Sequence, residues 1–131
     1  MPQDAIRSAL ASKPTLLTAW LNIGSALAVE IVARSGVDLV TIDQQHGAGG
    51  PAELVAMLAA ARAARVPALV RVASNDTGLI GRALDAGAQG VICPMVNTGD
   101  DAARLVAAIK FPPLGARSFG PYLASFVLPG D

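Results

Sequence analysis

The chain has 131 residues, enough for one domain with a real core and too few for two. Hydrophobic residues make up 53% and charged residues 15%, which excludes a disordered chain. Acidic and basic side chains cancel to a formal net charge of zero, and aromatics are 4%, so neither nucleic acid nor a charged membrane surface is indicated as a partner.

The N-terminus, MPQDAIRSAL, lacks a positive region followed by an apolar one, so no signal peptide is expected. No uncharged apolar run reaches the roughly 18 residues of a membrane helix. The single cysteine, Cys93, cannot form an internal disulfide, and a reducing, cytoplasmic setting is the simplest expectation.

Along the chain, short apolar runs alternate with longer alanine-rich segments. The runs are residues 15–23, then VDLVTID at 37–43, PALVRV at 67–72 and GVICPM at 90–95. Such runs suit parallel strands buried on both faces. The segments between them read as helices. Ser25 is a candidate N-cap for the first, which ends near Gly36. Pro51 fits the opening position of the second, covering residues 52–65. Asn75 or Asp76 caps the third, which stops at Gly87. Thr98 and Asp101 form a capping-box pattern ahead of the fourth, over residues 102–110. Residues 111–131 are rich in proline and glycine and predict no further element.

The expected class is therefore α/β, with about four βα units in one domain over residues 1–131. Two architectures fit: a small open sheet, or half of a (β/α)₈ barrel of about 250 residues. No G-x-G-x-x-G and no phosphate-loop motif follows any strand, so the nucleotide-binding open sheets lack support.

In either architecture chemistry gathers at the C-terminal ends of the strands. The second strand ends in D-Q-Q-H-G. His46 is the only histidine, and Asp43 lies three residues before it. A carboxylate there can bond one imidazole nitrogen and raise the basicity of the other. The GAGG that follows is expected to be flexible and to leave room for substrate. The bland alternative makes His46 a solvated loop residue and Asp43 a cap for the turn.

Arg71 ends the third strand. Its fork could hold a carboxylate in two bonds, or it could form a structural ion pair with Asp43 or Asp76. Cys93, ahead of a proline in an apolar strand, reads as an inert core residue. Trp20 and Phe111 read as core or wall, and Asp100 and Asp101 as helix-end charges. Arg117, in G-A-R-S-F-G, either anchors its loop or reaches a substrate or neighbouring subunit.

Taken together, V-D-L-V-T-I-D-Q-Q-H-G, V-R-V, D-A-G-A-Q-G-V-I-C-P-M-V and F-P-P-L-G-A-R-S-F-G resemble the HpcH/HpaI aldolase/citrate lyase family in order and spacing. The resemblance covers nearly the whole chain and implies the N-terminal half of a (β/α)₈ barrel. It implies a metal-dependent (class II) aldolase that cleaves a 4-hydroxy-2-oxo acid reversibly to pyruvate and an aldehyde. By that resemblance His46, supported by Asp43, manages protons, and Arg71 steadies the enolate. Arg71, Trp20 and Pro94 would contact substrate. A divalent cation, Mg²⁺, Mn²⁺ or Co²⁺, would bind the keto acid.

The family holds that cation with a glutamate and an aspartate at the ends of later strands. Here Asp131 is the only acidic residue after Asp101, and no glutamate follows Glu53, so no metal ligand is expected in this chain. The expectation is a truncated or complementing piece, weak or inactive alone. It would belong to a homo-oligomer or self-associate through exposed barrel edges. Two other functions fit the residues: a non-catalytic α/β module binding a small carboxylate, and an acyl-CoA carbon–carbon lyase like the citrate lyase β-subunits.

Overall fold

The structure, a computed structural model, describes residues 5–120. The expectations that fall on residues 121–131, Asp131 among them, lie outside the described residues.

Helix α1 (Ala5–Ser12) comes first and buries no residue. Four βα units follow: β1 (Thr18–Leu21), α2 (Ala26–Ala33), β2 (Leu39–Asp43), α3 (Pro51–Ala63), β3 (Ala68–Arg71), α4 (Thr77–Asp85), β4 (Gly90–Ile92) and α5 (Gly99–Ile109). The strands lie in sequence order, β1-β2-β3-β4, and every neighbouring pair is parallel. Sequential order with a helix after each strand is the winding of a barrel wall, in contrast to an open doubly wound sheet, whose order reverses.

The caps fall where the residue types place them. The Ser25 hydroxyl accepts from the Ala28 amide at 3.3 Å, and the Asp76 carboxylate from the Leu79 amide at 2.9 Å. Of the two expected candidates, Asp76 is the cap. Asn75 instead donates from its side chain to the Asp101 carbonyl at 2.9 Å and ties the loop after β3 to α5. Thr98 and Asp101 close a reciprocal capping box. Gly36 and Gly87 take φ of +91° and +102°, which lets the chain leave α2 and α4 without a Cβ clash.

Each strand is shorter than its apolar run. Beyond the paired residues these runs keep only scattered bonds to the sheet, such as the Leu17 carbonyl accepting from the Leu39 amide at 3.3 Å. Helix α1 was not expected. It contributes nothing to the core, although Ile6, Ala9 and Leu10 lie along one side of it at helical spacing.

The sheet sorts its residues by alternation. Ala19, Leu21, Val40, Ile42, Ala68 and Val70 face the helices, and they pack with Val29, Leu54, Met57, Leu58, Ile80 and Leu84 into one cluster. The opposite face carries Thr18, Trp20, Thr41, Asp43 and Arg71, none of which belongs to that cluster. Two hydroxyls bridge there, Thr18 to Thr41 at 3.0 Å. The core thus lies between sheet and helices, and the polar chemistry sits on the other side.

Candidate functional site

Asp43 is the hub of that polar face. It is 2% exposed and sits beside Arg71 in the β2–β3 register. A carboxylate so buried is tolerated only when its acceptor sites are filled. They are. Oδ1 accepts from Arg71 Nε at 3.0 Å, from the Gln45 amide at 2.9 Å and from the His46 amide at 3.1 Å. Oδ2 accepts from a terminal nitrogen of Arg71 and from Trp20 Nε1 at 3.2 Å.

This donor set has two electrostatic consequences. The Arg71 bonds hold the Asp43 carboxyl far below the usual carboxylate range, against the opposing effect of burial. The backbone amides of His46 and Gln45 and the Trp20 indole act in the same direction as Arg71. Arg71 in turn is pushed up by its bond to Asp43.

Asp43 therefore meets His46 at its backbone amide. Five N–H donors converge on a carboxylate with about four acceptor sites, which leaves none for the imidazole. Asp43 also caps the turn after β2, the simpler of the two roles its position suggested. His46 itself is exposed at the tip of that turn, on the same end of the sheet. Arg71 forms the ion pair expected as its structural alternative, with Asp43 as the partner. Its Nε and one terminal nitrogen are used there, and the other terminal nitrogen stands outside that pairing.

Trp20 is 45% exposed, with the Arg71 guanidinium carbon 5.0 Å from its ring centroid. Among the described residues it lies outside the sheet–helix core and joins the Asp43–Arg71 pair. Pro94 follows β4 half-buried, and no hydrogen bond or ion pair described here joins it to the Asp43 cluster. Next to it Met95 takes φ of +56°, an uncommon backbone for a side-chain-bearing residue, with its side chain 77% exposed.

The loop that carries His46 is held by contacts between glycines, contrary to the flexibility expected of GAGG. The Ala48 amide donates to the Asn22 carbonyl at 2.7 Å, and the Gln44 side chain donates to the Gly49 carbonyl at 3.2 Å. A Cβ on Gly24 would lie 2.5 Å from the Gly49 Cα, and one on Gly47 would lie 2.0 Å from the Asp43 carbonyl oxygen. These glycines let two loop backbones touch. Gly24 and Gln44 were not singled out from the sequence. Only the approach of two loops separated along the chain gives them a role.

Cys93 is half-buried against the core, and burial pushes its thiol up, with the Asp101 charge adding to the effect. That environment suits an inert thiol. Arg117 pairs with Asp85 at 2.7 Å and lies over the Phe111 ring at 4.7 Å. Asp85 closes α4, so this anchor sits at the opposite end of the sheet from Asp43. Of the two roles open to Arg117, the structure displays loop anchoring. A cavity of about 240 Å³ lies on the helix side of the sheet, between α3 and α4, and Val70, Leu54 and Arg82 are among its lining residues. Gln44, Gly49 and Gly50 of the loop that carries His46 also line it, while Asp43 and Arg71 do not.

A family model described as HpcH/HpaI aldolase/citrate lyase matches residues 16–126. The chain belongs to this family. Over 123 residues it is 37% identical to a hydroxypyruvate/pyruvate aldolase of Roseovarius nubinhibens, covering 94% of this chain and 48% of that protein. It is 39% identical to a 4-hydroxy-2-oxovalerate aldolase of Rhodococcus jostii, again over 48% of the relative. Among solved structures, an HpcH/HpaI aldolase from Desulfitobacterium hafniense superposes with a TM-score of 0.84 at 29% identity, covering 96% of this chain and 49% of that one. A family member from Burkholderia cenocepacia gives the same TM-score at 33% identity, covering 94% of this chain and 51% of that one. The chain spans about half the length of the relatives it matches. The fold is accordingly α/β, four βα units of the TIM-barrel type found in the family.

Proposed function

We propose that this chain is the acid/base half of a pyruvate-type aldolase, acting on 4-hydroxy-2-oxo acids. The observation that carries the reading is the Asp43–Arg71 pair, with His46 on the adjoining turn, at the C-terminal ends of β2 and β3. In cleavage, the His46 imidazole removes the proton from the 4-hydroxyl as the C3–C4 bond breaks. The aldehyde departs and the electron pair passes to the pyruvate enolate. An Arg71 N–H outside the Asp43 pairing steadies the enolate oxygen. The proton taken up by His46 is then returned to C3, which yields pyruvate. Asp43 does not move a proton in this scheme: it is saturated and held ionised, and it fixes Arg71 and the His46 turn in place.

Mg²⁺, Mn²⁺ or Co²⁺ does not fit the residues described here. No group of three His, Cys, Asp or Glu side chains converges on a point among the described residues, and the oxygens of Asp43 are taken by N–H donors. A hard cation would need carboxylates from a segment completing the barrel. A reducing, cytoplasmic setting belongs to the same reading. No helix among the described residues is long and apolar enough to cross a membrane.

A chimera tests the function. Residues 1–126 are joined to the second half of the Roseovarius relative, and pyruvate methyl exchange is followed in D₂O by proton NMR with a divalent cation present. The folded chimera is expected to exchange the methyl protons and to cleave a 4-hydroxy-2-oxo acid. His46→Ala is expected to lower both rates by roughly 10²- to 10⁴-fold. A folded chimera that binds pyruvate without enolising it would favour the carboxylate-binding module instead.

Self-association belongs to the same proposal. Among the described residues β1 and β4 are the sheet edges, and Leu27 and Ile31 on α2 are 66% and 63% exposed one turn apart. Unpaired edges beside an apolar helix face favour contact between copies. Light scattering on the purified 131-residue chain is expected to give a mass above that of the monomer; a clean monomer at high concentration would count against it.

A further inference from the structure

The geometry points to Trp20 as a positioning residue for Arg71, acting through Asp43 and through its own ring. The inference rests on the aldolase reading for its purpose, but its structural content stands separately. Trp20 touches both side chains of the pair. Its indole N–H donates to Asp43 Oδ2, the oxygen that also accepts from the Arg71 terminal nitrogen. Its ring lies 5.0 Å from the Arg71 guanidinium carbon.

These two contacts do different things. The Asp43 carboxylate meets Arg71 edge-on through two N–H groups, which fixes the guanidinium within its plane. A coplanar pair can still rock out of that plane. The Trp20 ring blocks that motion on one side and replaces water there with a π face. The indole N–H meanwhile adds a fifth donor to the carboxylate, on the oxygen that also accepts from the Arg71 terminal nitrogen. Arg71 is left with one face covered by the ring and with its unused N–H groups along the free edge of the guanidinium, in the plane that the Asp43 bonds set. Trp20 lies outside the hydrophobic cluster between sheet and helices.

The chain has one tryptophan, so one indole N–H resonance reports on the site. The Arg71 Nε–H signal is identified by its loss in Arg71→Lys. In the unaltered chain the Arg71 signal is expected to be resolved and slow to exchange with water. Asp43→Asn is expected to move the indole proton upfield. Trp20→Phe keeps a ring and removes the N–H, and Arg71 Nε–H exchange is expected to speed up several-fold. Trp20→Leu removes both contacts and is expected to send the Arg71 signal to the position of a free arginine. An Arg71 signal with the same shift and exchange rate in folded Trp20→Phe and in the unaltered chain would overturn the inference and leave Trp20 as a wall. The Phe comparison decides even if Trp20→Leu fails to fold. In the chimera, Trp20→Phe is expected to lower kcat about tenfold with KM within a factor of two; a rise in KM at unchanged kcat would mark Trp20 as a binding contact and overturn the positioning role. The NMR arms do not depend on turnover, so failure of the aldolase reading leaves them standing.

Discussion

Asp43→Asn is expected to destabilise the chain by about 3 kcal/mol at neutral pH, the scale for removing one partner of a buried ion pair. The side chain of Asp43 is fully enclosed, and that of Arg71 is 22% exposed. The amide would keep one acceptor, turn an N–H₂ toward donors that need an oxygen, and leave the guanidinium without its counter-charge. Urea denaturation measures the loss.

The pH dependence provides an independent check. Asp43 is held well below the ordinary carboxylate range in the folded state, chiefly by Arg71. Between the folded value and the ordinary one of about 4, the unfolded chain binds the proton and the folded chain does not. The stabilisation is therefore complete above about pH 4 and falls as the pH drops, by up to about 1.4 kcal/mol per unit. The gap between the unaltered chain and Asp43→Asn should narrow below pH 4 and stay constant above pH 5. A gap that holds its full size down to pH 2 would show that the ion pair does not supply it.

The second large effect concerns a residue with no side chain. Gly47→Ala would place a Cβ 2.0 Å from the carbonyl oxygen of Asp43, a backbone atom with no freedom to retreat. The turn must open to admit it. Overpacking of this kind costs typically 1–3 kcal/mol, and a backbone-on-backbone clash belongs near about 3. The movement would pull the His46 amide off Asp43, so the chimera should lose activity beyond what its stability loss explains. Thermal denaturation paired with the pyruvate exchange assay checks both. Gly36→Ala is a useful control. It costs backbone strain at φ of +91° but meets no atom within 4 Å and lies away from the site, so exchange should survive in the fraction that stays folded. Equal loss of exchange in both variants would show that the Gly47 turn has no special bearing on His46.

The Gly47 turn also marks where reading the sequence met its limit. G-A-G-G reads as a flexible stretch, because isolated glycines carry freedom and nothing else. In the fold the same glycines allow the loops after β1 and β2 to meet, with the Gly24 Cα against Gly49. That role depends on a partner about 25 positions away, which no local pattern announces. Trp20 presents the same difficulty. Its place on β1 was legible, but a strand residue has two faces. Only the register of β1 with β2 puts Trp20 on the side of Asp43.

By itself the sequence determined the alternation of strand and helix, through apolar runs and cap residues such as Ser25, Pro51, Asp76 and Thr98. It also determined that polar chemistry would lie at the ends of β2 and β3, because Asp43, His46 and Arg71 interrupt apolar runs where a parallel sheet has its open end. Those are local signals, set by period and by the chemistry of helix ends. The tertiary structure decided the rest. It chose the sequential strand order over a reversing one, since hydrogen bonds between strands carry no mark in any single strand. It gave Arg71 to Asp43 and saturated that carboxylate with backbone and indole N–H groups, because burial on the register of two neighbouring strands leaves a charge no other way to be satisfied.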